Sequence, residues 1–326
     1  MKAIAAALAL SAGLVGGLAQ AEPLNLTLSG GNPGGLWSLL GAGIDRAAKA
    51  TDPDSVVTYQ ATGGGFANIA LLGGKRTDLG LVHDAEVQLA LNGAAPFKAP
   101  VTNMQAIGYM YNWAPMHFFL KKDVAEKYKI ESLDDIAKSK ADITIGINRS
   151  GNITSNVAVF MLKEAGLTED TLKSNGGSFV RAGAKEQTGL MKDNRIQLAT
   201  NGIFVKHSSF RAIDKENDVI LLKIPQRVIE ATNKAFGTSP FTIPGGSYSK
   251  VPNDVNSIAL GAMLVTHDQL SDSAAYNLAK SLAGHVDEVR NVHGAMKALN
   301  TKLMTSQKVL PFHPGAAKAY KEAGLL

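Results

Sequence analysis

The chain has 326 residues, a formal net charge of +5 and no cysteine. That length allows one large domain or two medium ones to bury a core without disulfides, and the missing thiols exclude a cysteine nucleophile or a lipid-bearing cysteine. Basic residues are scattered and not interleaved with aromatics, which gives no support to nucleic-acid binding; a mildly basic surface is compatible with weak steering of an anionic solute.

In chain order, Lys2, the apolar run Ala3 to Leu18 and the small-x-small triplet Ala19-Gln20-Ala21 read as a secretory leader over residues 1–21, cut before Glu22. The competing reading is a buried N-terminal helix. No later stretch approaches the 18 uninterrupted apolar residues of a membrane span. An exported chain with neither lipid nor span is retained only inside an outer membrane. The expected location is therefore the periplasm, and the expected state is a soluble, unlipidated monomer.

Leu24 to Leu28 predicts a strand, Leu36 to Lys49 a helix, Ser55 to Gln60 a strand, Phe66 to Leu72 a helix, Thr77 to Val82 a strand and Ala85 to Leu91 a helix. This alternation predicts a parallel sheet with helices on both faces and ligands outside the carboxyl ends of its strands. Met104 to Leu120 reads as a long strand broken at Trp113-Ala114-Pro115. Ser132 caps a short helix with Asp135 at its third position. Ile143 to Ile147 reads as a strand, Asn156 to Ala165 as a helix closed by Gly166, Val255 to Thr266 as a second long strand and Ser273 to Leu282 as a helix. Two long strands bracketing the middle segment predict two crossings between lobes. Residues 22–113 with 258–326 would form lobe 1, and residues 114–257 lobe 2. The fold class is α/β, with a parallel-rich sheet in each lobe and a ligand cleft between them.

Four strand ends carry residues suited to a ligand. Ser29 to Trp37 (SGGNPGGLW) offers Gly31, Asn32, Gly34 and Trp37 at a glycine-rich helix start, where free amides favour anions; the plainer reading is a tight turn. Thr62 to Asn68 offers Gly64, Gly65 and Asn68. The third strand ends in His83-Asp84, and the lobe 2 strand ends in Arg149, Ser150, Gly151, Asn152 and Thr154. Arg149 and His83 are the cationic candidates for a carboxylate, but they read equally well as a solvated surface charge and a packed histidine. Tyr111, Asn112 and Trp113 stand at the first crossing, as cleft wall or as core. Gly245-Gly246-Ser247-Tyr248-Ser249 lacks the second glycine of a nucleophile elbow, and the seven histidines show no metal-ligand spacing. Neither metal nor cofactor is expected.

The C-terminal run Leu310-Pro311-Phe312-His313-Pro314-Gly315-Ala316-Ala317-Lys318-Ala319-Tyr320-Lys321-Glu322-Ala323-Gly324 resembles the closing P-L-H-P-G-A-x-x-Y-x-E-x-G signature of the TAXI family, the TRAP-associated extracytoplasmic immunogenic solute receptors. Gly30 to Gly34 resembles the family's G-G-x-x-G turn, Gly64 to Asn68 its G-S-x-x-N, Ser150-Gly151 its S-G-T, and Ile243 to Tyr248 its I-P-x-G-x-Y. The resemblance spans essentially the whole chain after the leader. It implies the two-lobed periplasmic binding protein fold, capture of a carboxylate such as glutamate, glutamine or 2-oxoglutarate, and delivery to a TRAP membrane component. Gln197, Asn194-Arg195 and His83-Asp84 depart from the family pattern and leave the solute open. Service to an ABC importer or a sensor kinase is the alternative, and a hydrolase using Ser247 or Ser150 a third reading.

Overall fold

The computed structural model describes residues 22–326, so the expected leader lies outside the described residues. Ten strands form one continuous mixed sheet: β1 (Asn25–Ser29), β2 (Val56–Gln60), β3 (Leu79–His83), β4 (Met104–Lys121), β5 (Thr144–Ile147), β6 (Ser178–Arg181), β7 (Leu198–Gly202), β8 (Val219–Leu221), β9 (Ser239–Ile243) and β10 (Val255–His267). Their order is β2-β1-β3-β10-β4-β7-β5-β6, with β8 on β4 and β9 on β10. The parallel pairs are β1–β2 and β1–β3 at one end and β5–β6 and β5–β7 at the other. The two long strands between them pair antiparallel.

β4 is continuous where a break was expected. Its partner changes instead: Ala114 and Pro115 face β10, and Met116 onward pairs with β7. A proline has no amide to give a ladder, so the change of partner falls where one lost bond matters least. β10 makes the reciprocal change. Val255 to Ala259 pairs with β9, and beyond it the strand turns to β3 and β4, with a register slip around Gly261. All but one of its residues are buried, as expected of a strand covered on both faces.

Each end of the sheet has its own core. Leu28, Leu40, Ile44, Leu264 and Leu278 pack together on one side of the crossings, and Phe118, Ile145, Val157 and Leu222 on the other. Three helices follow the first three strands: α1 (Leu36–Thr51), α2 (Gly65–Gly73) and α3 (Asp84–Leu91). The helix expected from Asn156 begins at Ile153, because the Asn152 carboxamide accepts the Thr154 amide at 2.9 Å and caps it three residues earlier.

Ser132 caps the helix Leu133–Ser139 as expected. The Asp135 carboxylate accepts both the Ser132 amide, at 2.9 Å, and its hydroxyl, at 2.8 Å. Ser132→Ala should lower the unfolding free energy by about 1 kcal/mol in urea titration.

Candidate functional site

Of the two cavities that Phe204 lines, the main one, about 400 Å³, opens between the carboxyl ends of the strands on the two sides of β4 and β10. β1, β2 and β3 deliver one wall. Gly31 and Asn32 follow β1, Thr62 to Gly65 follow β2, and His83 ends β3. The opposite wall comes from Gly151 and Asn152 after β5, and from Gly202, Ile203, Phe204 and His207 after β7.

Two helix starts face this space with no side-chain cap. α1 follows Gly35 and α2 follows Gly64. The amides of Leu36 and Trp37 on α1, and of Gly65, Phe66 and Ala67 on α2, find no hydrogen-bond partner among the described residues. Most globular helices cover such donors with Ser, Thr, Asp or Asn. Here glycine leaves them open, and the helix dipoles add positive potential.

Glu86 is the buried charge of the site. Its carboxylate accepts the His83 amide at 2.8 Å and lies 3.2 Å from His83 Nδ1. It also presses on the start of α2, where a Cβ at Gly65 would fall 1.6 Å from Oε2. With Nδ1–H facing Glu86, His83 Nε2 is left toward the Tyr111 hydroxyl at 3.4 Å, and that hydroxyl accepts from Trp37 Nε1 at 3.2 Å. The Trp37 ring leans on the imidazole at 4.9 Å, and Phe204 meets Tyr111 edge-on at 5.0 Å. The result is an aromatic wall with one polar relay inside it. Burial disfavours the charged form of His83, but the Glu86 carboxylate and then Asp84 outweigh it and raise its pKa. Burial, and then the neighbouring His293, lower that of His207. No lysine or arginine lines the cavity.

Directly behind His83, the Asp84 carboxylate accepts the Ala85 amide and the Gly261 amide, each at 2.8 Å. Gly261 sits where β10 slips register, so a side chain takes up an amide that the ladder leaves behind. Burial raises the Asp84 pKa to about 7 against the opposing pull of His83 and these hydrogen bonds. The folded state therefore holds this proton more tightly than the unfolded chain. Its contribution to stability falls as pH rises from about 4 to about 7. In urea unfolding, the difference between Asp84→Asn and wild type should move in the variant's favour as pH rises from about 4 to about 7, on top of a constant loss from the acceptor oxygen that Asn lacks.

Of the residues singled out in the sequence, Gly31, Asn32, Trp37, Gly64, Gly65, His83, Gly151 and Asn152 line the cavity, and Tyr111 joins them. Six others do not. Gly34 supplies a left-handed turn residue before α1. Asn68 is fully buried, donating to Leu81 O at 2.6 Å and holding the Thr62 hydroxyl at 2.5 Å, so it shapes the glycine loop from beneath. Thr154 is spent on Asn152 and Asn201. Ser150 is exposed in a turn. Arg149 points away, paired with Glu186 at 3.1 Å on the surface. Trp113 donates to Ala295 O at 2.9 Å and walls a neighbouring cavity. Sequence reasoning passed over Glu86, Phe204 and His207. The spacing from His83 to Glu86 is that of a helix start with its third-position carboxylate. Phe204 and His207 lie in a stretch with no clear periodicity.

Among the described residues no helix is long and apolar enough to cross a membrane, and no three His, Asp or Glu side chains are placed to hold a metal. Neither Ser150 nor Ser247 has a histidine hydrogen-bonded to its hydroxyl among the described residues.

The architecture matches solved structures at low identity. A TctC solute-binding protein from Polaromonas aligns with a TM-score of 0.52 and 14% identity over 83% of this chain and 86% of that one. MatC from Rhodopseudomonas palustris, solved with bound malate, gives 0.51 and 9% over 83% and 88%. A structure described as a periplasmic transporter gives 0.52 and 9% over 91% and 93%. The fold is that of two-lobed periplasmic solute-binding proteins. Residues 28–324 match the model of the NMT1-like family, and the chain belongs to that family.

Proposed function

We propose that this protein is a periplasmic receptor that captures a small organic carboxylate and presents it to a TRAP-type membrane component, as the TAXI resemblance implies. The observation that carries the reading is the pair of uncapped, glycine-led helix starts, α1 and α2, opening on one cavity. Five free amides at two helix starts suit an anionic headgroup where no lysine or arginine lines the cavity. Malate bound to MatC, a protein of the same fold, accords with a carboxylate. The event is capture, not turnover. Residues 22–113 with 258–326 hold the anion, residues 114–257 close over it about β4 and β10, and closure creates the surface the membrane component reads. The protein acts as a monomer, exported and freed of its leader.

A thermal-shift panel of amino acids, keto acids, dicarboxylates and sugars tests this on the chain from Glu22 onward, after unfolding and refolding to strip carried ligand. A ligand bound only by the folded state raises the midpoint by mass action. A saturable shift confined to carboxylates is expected, and a shift with sugars alone would refute the reading. Because Arg149 pairs on the surface, Arg149→Ala should change carboxylate affinity by less than about threefold. A tenfold loss would place its guanidinium in the closed cleft.

A further inference from the structure

A second cavity of about 240 Å³ adjoins the first and is lined by Trp113, Phe204, Val205, Phe241 and Ala295. Phe204 lines both, so they meet at one partly buried phenyl ring on the loop after β7. The annex is apolar in all its side chains. Its one side-chain polar atom, Trp113 Nε1, is already satisfied by Ala295 O at 2.9 Å. Trp113 and Phe204 both pack against Tyr111, with ring centroids 6.2 and 5.0 Å from it, so the aromatic wall of the main cavity runs on into the annex.

Charge points the same way. The main cavity holds one buried carboxylate, Glu86, and no lysine or arginine. Its free amides suit a single anionic group. A second carboxylate on the solute would meet Glu86 and aromatic rings with no lysine or arginine to pair it, and the one imidazole within reach of Glu86, His83, is already held by that carboxylate; a poorly paired charge in such surroundings is strongly disfavoured.

From the shared Phe204 wall and the lack of lysine or arginine in the main cavity, we infer that the solute carries a single carboxylate and an apolar arm that passes Phe204 into the Trp113–Phe241 annex. The inference rests on the carboxylate-receptor reading above and narrows it: carboxylates with an uncharged alkyl or aryl arm are preferred over dicarboxylates of the same length.

The chain contains two tryptophans, one in each cavity wall, which makes the annex directly observable. Affinities are measured for 2-amino and 2-oxo acids with unbranched chains of three to six carbons. Glutamate and 2-oxoglutarate serve as charged counterparts of norvaline and 2-oxopentanoate. Binding should tighten roughly fourfold per methylene entering the annex, and each five-carbon monocarboxylate should bind more tightly than its dicarboxylate counterpart. In Trp37→Phe, where Trp113 is the remaining indole, the six-carbon acid at saturation should shift emission beyond the change the three-carbon acid causes. Phe241→Ala should shrink the affinity ratio between six- and three-carbon acids. Three-carbon acids that bind with no gain on lengthening, or dicarboxylates that bind more tightly, would overturn the annex and leave the receptor reading standing. No binding by any member would overturn the receptor reading itself.

Discussion

Gly315→Ala is expected to remove about 3 kcal/mol of stability, measured as a lowered urea midpoint. The helix Pro314–Glu322 crosses the helix Asp272–Gly284 so closely that a Cβ on Gly315 would lie 2.1 Å from Asp272 O and 2.9 Å from Tyr276 N. Both obstacles are backbone at the start of a helix, so no rotamer can relieve them. The surrounding turn is equally constrained. His313 is buried, its Nδ1 accepts the Gly315 amide at 3.2 Å, and its Nε2 donates to Leu270 O at 3.0 Å. Pro314 occupies the first helical position, where its missing amide does no harm. The His-Pro-Gly run of the C-terminal signature thus has a packing reason at every position. A change below about 0.5 kcal/mol would show that the two helices separate easily and that the close approach is not a constraint.

Gly65→Ala should reduce carboxylate affinity on the order of 100-fold, measured by calorimetric titration. A methyl group at this position would overlap Glu86, 1.6 Å from Oε2 and 2.3 Å from Cδ. Glu86 is itself buried and holds the His83 amide, so it cannot swing into solvent without breaking the start of α3. The strain falls on the first turn of α2, whose free amides are the proposed anion donors. Overpacking of this kind costs about 2–3 kcal/mol, and every 1.4 kcal/mol is a tenfold change in affinity. Glu86→Ala in the Gly65→Ala background should restore room and part of the affinity. An alanine variant that binds as tightly as wild type would mean that the α2 amides do not contact the solute.

The local order of elements was legible in the sequence because backbone propensity and burial periodicity act over a few residues. β1 to β3 and α1 to α3 fall within a few residues of their expected bounds. The Ser132 cap, the long strands and the glycine-led helix starts each declare themselves in neighbouring side chains. The glycines that ring the cavity were visible for the same reason: their effect is on their own backbone. The direction of a long side chain depends on partners distant in sequence. Arg149 turned outward because Glu186 lies there, and Asn68 turned inward to Leu81 and Thr62. Glu86 could be recognised as the charge of the site only once α3 was laid against the start of α2. Phe204 and His207 reach the cavity because β7 pairs with β4 beyond Pro115. The sequence by itself determined the strand–helix alternation, the two long strands and the open helix starts. Tertiary structure alone decided which side chains share the cavity, since that depends on pairings between strands far apart in the chain.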